Sequence, residues 1–306
     1  MLKTFALDPD LFACFEHFLI LRDKFGVPEG RLIAKFPGKW KAMVREACDL
    51  ALAAGTLKEI RYKTVIDDFL GKYSQRDPRM VQTKAPWDEQ QSWIENAHAS
   101  KSEFDCVLSP SLSSEGSSLC ADDLGHYAAS ELFGVCRQRN IKRTAATLVD
   151  CVWPLLSQSS VIRIVEPHFD PVDRRFTNTL FEAIKRLSET GRKTTIELHV
   201  RRDADSFGER TKRNYQVILE PKLRAGLKLK VFFWANGSQK LHPRYLLTEV
   251  GGIKLDYGWD EAKDAPEEET PAILLEESLR AEEFSKYQIG SAAFHLDPKI
   301  HVLELG

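Results

Sequence analysis

From Ser160 onward, strand-like and helix-like segments alternate in strict succession, and no other feature narrows the possible folds as much. Residues 161–165 (VIRIV), 194–200 (TTIELHV) and 227–234 (LKLKVFFW) are β-branched or aromatic runs of strand length. Pro167 marks the end of the first. Between them, residues 176–190 and 209–225 carry apolar positions at helical spacing and are followed by Gly191 and Gly226, which suit the left-handed turn that closes a helix. Strand–helix–strand–helix–strand predicts parallel strands joined by right-handed crossovers. Residues 241–248 and 252–257 flank Glu249, Val250 and Gly251 as an antiparallel hairpin. The expected class is α/β, with a mixed sheet flanked by helices.

The N-terminal part reads differently. Residues 9–24 carry Leu11, Phe12, Phe15, Phe18 and Leu19 at helical spacing, closed by Phe25-Gly26-Val27-Pro28. Residues 38–54, ending at Gly55, and residues 64–73 predict two more helices, so residues 1–80 form a helical domain. Residues 81–155 read as a connecting mixed region. It holds a short helix at 91–99, a strand at 104–108, the loop SPSLSSEGSS at 109–118, and helices at 122–139 and 144–156. Residues 156–306 form the α/β domain. Its acidic segment 260–283 contains Pro266 and Pro271 and reads as a linker, with a helix over 273–287.

Lys and Arg number 43 against 45 Asp and Glu, a net charge of −2 that argues against a uniformly basic nucleic-acid coat. Segment 22–81 is locally basic. The six cysteines include no C-x-x-C pair and no zinc-finger spacing, so buried free thiols are expected, with no metal and no cofactor. No apolar run approaches the roughly 20 residues that span a bilayer, and MLKTFALDPD breaks into acid and proline before a secretory core forms. A cytoplasmic protein without a transmembrane segment is expected. Nucleotide-binding, zinc-protease and serine-hydrolase motifs are absent from the sequence.

The chemistry-bearing residues lie in LHPRYLLTEVGGIKLDYGWD (241–260). Strand alternation places His242, Arg244 and Leu246 on one face, with Tyr245 and Leu247 on the other. The planar Arg244 fork suits bidentate capture of a phosphate. This stretch resembles the phospholipase D superfamily, whose signature is histidine, any residue, lysine, four residues and aspartate before a glycine-rich strand end. Here Arg244 stands at the lysine position and Glu249 at the aspartate position. A closer likeness is to the divergent single-lobe branch found at the C-terminus of MIT-domain proteins and in bacterial relatives. There a histidine–any–arginine hairpin precedes glycines and a G-[aromatic or aliphatic]-D ending, matched by Gly251, Gly252, Gly258, Trp259 and Asp260. The resemblance covers roughly the last half of the chain and none of residues 1–150.

That resemblance implies His242 as nucleophile, Arg244 on the phosphate and Glu249 orienting the imidazole, with a second histidine from a partner lobe protonating the leaving oxygen. The motif occurs once, so turnover by this route requires a homodimer or another histidine. A working phosphodiesterase, a phosphate site without turnover and a structural hairpin all remain open. Open α/β sheets hold ligands at the carboxyl ends of their parallel strands. Glu166 and His168 after the first strand, and Arg201 with Arg202 after the second, are therefore candidate phosphate-site residues. His199, within the second strand, reads as a core histidine. The expected function is phosphodiester binding, as a nuclease-like effector or an accessory subunit in bacterial antiviral defence or DNA processing. Nucleic acid is the expected partner, alongside a protein subunit or a second copy of the chain. Two alternatives are an adaptor that binds a partner protein through its helical N-terminal half and an acidic-lipid-binding domain.

Overall fold

Parallel strands organise the first part of the chain as well as the second. The computed structural model describes residues 1–55, 60–71, 77–111, 118–120, 130–201, 209–235, 241–263, 267–291, 293–296 and 302–306. The chain divides into two compact units, Met1–Cys136 and Arg137–Gly306.

The first unit contains β1 (Lys3–Leu7), α1 (Phe15–Leu21), β2 (Arg31–Lys35), α2 (Trp40–Ala53), α3 (Ile60–Gly71), β3 (Met80–Gln82), α4 (Trp93–Ala99), β4 (Cys106–Ser109) and β5 (Ser118–Cys120). Its strands are all parallel, in the order β3-β2-β1-β4-β5. The helical expectation for residues 1–80 is thus corrected: helices are present, but they pack around a sheet. The apolar runs Phe5-Ala6-Leu7 and Leu32-Ile33-Ala34 are too short for periodicity to identify them, and β1 pairs with β4 about a hundred residues away. Residues 81–155 are not a connector either. β3, α4, β4 and β5 belong to this unit, and only the residues from Arg137 onward belong to the next.

The expected helix at 9–24 is broken. A 3₁₀ turn, Pro9–Ala13, is capped by Asp8, Cys14 is extended, and α1 begins only at Phe15. Leu11, Phe12 and Phe18 enter the core, whereas Phe15 and Leu19 remain 45% and 42% exposed. Asp8 lies buried where the strand order reverses between β1 and β4. There its Oδ2 accepts from Ser109 Oγ at 2.6 Å and its Oδ1 from Asp10 N at 3.1 Å.

The second unit contains β6 (Gln138–Lys142), α5 (Ala145–Leu156), β7 (Val161–Val165), α6 (Arg174–Glu189), β8 (Thr194–Arg201), α7 (Glu209–Leu219), β9 (Leu227–Ala235), β10 (Tyr245–Thr248), β11 (Gly252–Leu255), β12 (Glu269–Leu274), α8 (Glu277–Lys286), β13 (His295–Leu296) and β14 (Val302–Leu305). The strands order as β13-β9-β8-β7-β10-β11-β12-β6, with β14 also on β9. β7, β8 and β9 are parallel, and β10 lies antiparallel to β7. The mixed α/β reading of this half holds, with helices against both faces of the sheet. Of the helix expected at 122–139, residues 122–129 lie outside the described residues. Gln138–Lys142 is a strand instead, because β12 offers it a ladder from Glu269 to Ile273. β12 also replaces part of the expected acidic linker.

Strand register fixes the two faces. Ile164, Leu198, Val231 and Leu246 share one, with Tyr215 of α7 against Phe233 there. Val165, Phe232, Trp234 and Leu247 share the other, packed with Leu241, Leu275, Tyr287 and Phe294. Arg163 crosses that second face to donate to Phe284 O of α8 and to Glu197 Oε2 at 2.6 Å.

Candidate functional site

β7 ends at Val165, opposite Tyr245, the first residue of β10, so Glu166 and Arg244 meet just beyond the last rung of that ladder. Arg244 Nε stands 3.7 Å from Glu166 Oε1, an ion pair outside hydrogen-bond range, and Nη1 donates to Asp256 O at 3.3 Å. Nε is buried and makes no hydrogen bond among the described residues. Glu166 itself is 1% exposed. Its Oε2 accepts from Trp259 N at 3.0 Å and its Oε1 from His168 N at 3.2 Å. Burial, outweighing those donors and the Arg244 charge, pushes the carboxyl up to about 7, and the neighbouring Asp260 adds in the same direction.

The turn after β11 returns the chain to this same edge, and Gly258 makes the close approach achievable. Its φ is +99°, and a Cβ there would overlap Glu166 Oε2 and lie 2.8 Å from Arg244 Cδ. Beside it, Asp260 binds two arginines, Arg143 at 2.9 Å and Arg175 at 3.3 Å. Arg175 also pairs with Asp173, the N-cap of α6, and Arg143 pairs with Glu268. Burial raises the Asp260 carboxyl despite both cations. Arg143, 8% exposed at its side chain, has Tyr257 over its guanidinium at 5.2 Å. The result is a polar floor of paired charges at the carboxyl end of β7.

The expected site residues fall into three groups. Arg244, Glu166 and the backbone of His168 come together. The His168 side chain is exposed on the same loop. His242 is also exposed, ahead of β10 rather than within it, while its neighbour Leu241 is buried with Tyr245 and Leu247. No hydrogen bond or ion pair among the described residues holds His242. Arg201 ends β8 on this edge and donates its N–H to Pro167 O at 3.1 Å. Alternation nevertheless puts its side chain on the face of Val165 and His199, opposite Glu166 and Arg244. Arg202 lies outside the described residues.

Glu249 is separated altogether. It sits at the far end of β10, where Oε1 accepts from Ser160 N at 2.5 Å and Ser160 Oγ at 2.6 Å, and Oε2 from Val161 N at 3.2 Å. β10 alone, at about 3.4 Å per residue, keeps it beyond reach of His242. Its role is to bind the start of β7, and the expectation that it orients the imidazole is corrected. His199 is a core residue, as its sequence context implied. It is fully buried, Nδ1 accepts from Trp234 Nε1 at 3.0 Å, and Phe232 stacks on it at 4.7 Å. Burial holds its imidazole down at about 4.

Sequence reasoning missed Arg143, Arg175 and the architectural use of Asp260. The pattern Gly258-Trp259-Asp260 was legible only as part of a resemblance, and the arginines come from β6 and α6, distant in sequence. No protein-family model and no curated protein matches the chain. Among solved structures, an archaeal chromatin protein, TrmBL2, described as showing a novel mode of DNA binding, is similar over 54% of this chain and 57% of its own. Identity is 16% and the TM-score 0.27, and a likeness that slight bears on neither fold nor function.

Proposed function

We propose that the second unit binds phosphodiester backbone at the carboxyl end of β7, with Arg244 as the anion-binding group. The observation that carries this reading is the Arg244 guanidinium. It is anchored at one nitrogen by a backbone carbonyl, its Nε makes no hydrogen bond among the described residues, and its side chain keeps 23% exposure at the edge. The exposed His168 and His242 flank it in sequence and fold, and supply further donors to phosphate oxygens. The phospholipase D resemblance favours His242 and Arg244 of this edge, though not Glu249.

The reading is binding without turnover. Phosphohistidine chemistry needs an acceptor to orient His242 and an acid for the leaving oxygen. Glu249, the expected orienting group, is committed to Ser160 and Val161. The first unit is a parallel sheet of different strand order and so does not duplicate the second as a partner lobe. An accessory role in a nucleic-acid-processing system fits such a protein better than an autonomous nuclease.

The test is retention of a labelled single-stranded oligonucleotide, titrated against salt. Binding should weaken steeply with ionic strength. Arg244→Ala should weaken it by about tenfold or more, the scale of a charge-assisted contact. Equal binding by Arg244→Ala would overturn the assignment. Cleavage that survives EDTA and is lost in His242→Ala would restore the nuclease reading.

A further inference from the structure

Above about pH 7 Glu166 is an anion installed beside the Arg244 guanidinium. It is fixed there from every element that reaches it. Its own N–H donates to His199 O of β8 at 3.0 Å, and His168 N and Trp259 N hold the two carboxyl oxygens. Gly258 fills the space above so closely that no side chain could intervene. A phosphodiester at Arg244 would bring a second negative charge against this one, and the 1% exposure of Glu166 leaves its charge poorly screened. The other charges nearby do not relieve that repulsion. Arg143 and Arg175 are both taken by Asp260, which itself adds negative potential at Glu166. His168 and His242 are exposed histidines of the edge, and Asp170, Asp173 and Asp256 are acids nearby, with Asp170 and Asp256 exposed as well.

Resting on the phosphodiester reading above, we propose that ionised Glu166 and a bound phosphodiester compete for Arg244, so that the site loads with uptake of one proton by Glu166. The direction follows from the charges. Arg244 lowers the Glu166 proton affinity in the free protein, and a ligand that neutralises Arg244 removes that influence while adding its own repulsion. Glu166 therefore holds its proton more tightly in the complex than in the free protein. The free carboxyl already titrates at about 7, so affinity is level below that pH. Above it, affinity falls toward about tenfold per pH unit until the carboxyl of the complex also ionises. A phosphodiester has no proton to lose in this range, so the dependence belongs to the protein. The site would thus grip its ligand in mildly acidic surroundings and release it in alkaline ones.

The experiment is titration calorimetry of the whole protein with a short oligothymidylate at pH 7.5, in two buffers of different ionisation enthalpy. The expected result is a net uptake of up to about three quarters of a proton, abolished in Glu166→Gln, whose affinity no longer falls above pH 7. A histidine contribution would survive that substitution. The δ-carboxyl resonance of Glu166 reports the same proton in unmodified protein, and its titration midpoint should rise when the oligonucleotide is added. Binding with no net proton, or with a midpoint that stays fixed, overturns this inference and leaves the phosphodiester reading standing. Binding that is unchanged in Arg244→Ala, or no binding in either buffer, overturns both.

Discussion

Gly258 stands directly over Glu166, with its backbone in a left-handed conformation and the Cβ position occupied by the carboxylate Oε2. A turn from the far side of β11 is therefore in van der Waals contact with the end of β7, and the next residue, Trp259, donates its N–H to the same carboxylate. The buried acid, the turn and Arg244 form one unit.

Gly258→Ala should break that unit. The positive φ alone costs on the order of 1–3 kcal/mol for a residue with a Cβ, and the overlap with Glu166 adds to it. Urea unfolding should show the loss, and oligonucleotide retention should fall in parallel.

Two buried groups should give stability opposite pH slopes. The Glu166 carboxyl is raised from 4.5 to about 7, so its contribution is full below the unfolded value and is lost as pH climbs through 7. The size is about 3 kcal/mol at most. His199 is lowered from 6.5 to about 4, so its contribution is full above 6.5 and is lost as pH falls toward 4. Between about pH 4.5 and 6.5 the two slopes oppose each other. Unfolding free energies for Glu166→Gln over this window should fall towards acid more steeply than those of the unmodified protein. An unchanged slope would count against the buried, protonated Glu166.

Asp260→Ala should cost about 3–5 kcal/mol, since it strips a buried charge from Arg143 and removes a partner of Arg175. Replacing Arg143 with Met and Asp260 with Leu together should cost less than the single change. A double-mutant cycle by urea denaturation measures the difference.

Glu249→Ala should separate architecture from binding. Losing the acceptor for Ser160 and Val161 should destabilise the unit by about 1–3 kcal/mol. Oligonucleotide affinity should stay within twofold or so of the starting value. A selective loss of binding at unchanged stability would show that Glu249 acts at the ligand site after all.

The sequence by itself determined the second unit's central strands and their crossovers. Val161–Val165, Thr194–Arg201 and Leu227–Ala235 carry long β-branched and aromatic runs, and local pattern suffices for such strands. It placed His242 and Arg244 within the hairpin strand, which in fact begins only at Tyr245, and their approach to the end of β7 was an expectation of the family resemblance alone. Tertiary structure alone decided the rest. Lys3–Leu7 and Arg31–Lys35 are strands because parallel partners from distant segments satisfy their backbone, and five residues carry too little periodicity to announce it. Glu249 left the expected site because strand pairing at the far end of β10 gave its carboxylate three donors. Arg143 and Arg175 joined Asp260 because β6 and α6 converge on one edge, a consequence of sheet order that no local motif encodes. Burial likewise belongs to the fold: Glu166 reads as an ordinary acid before proline until Gly258 and Trp259 close over it.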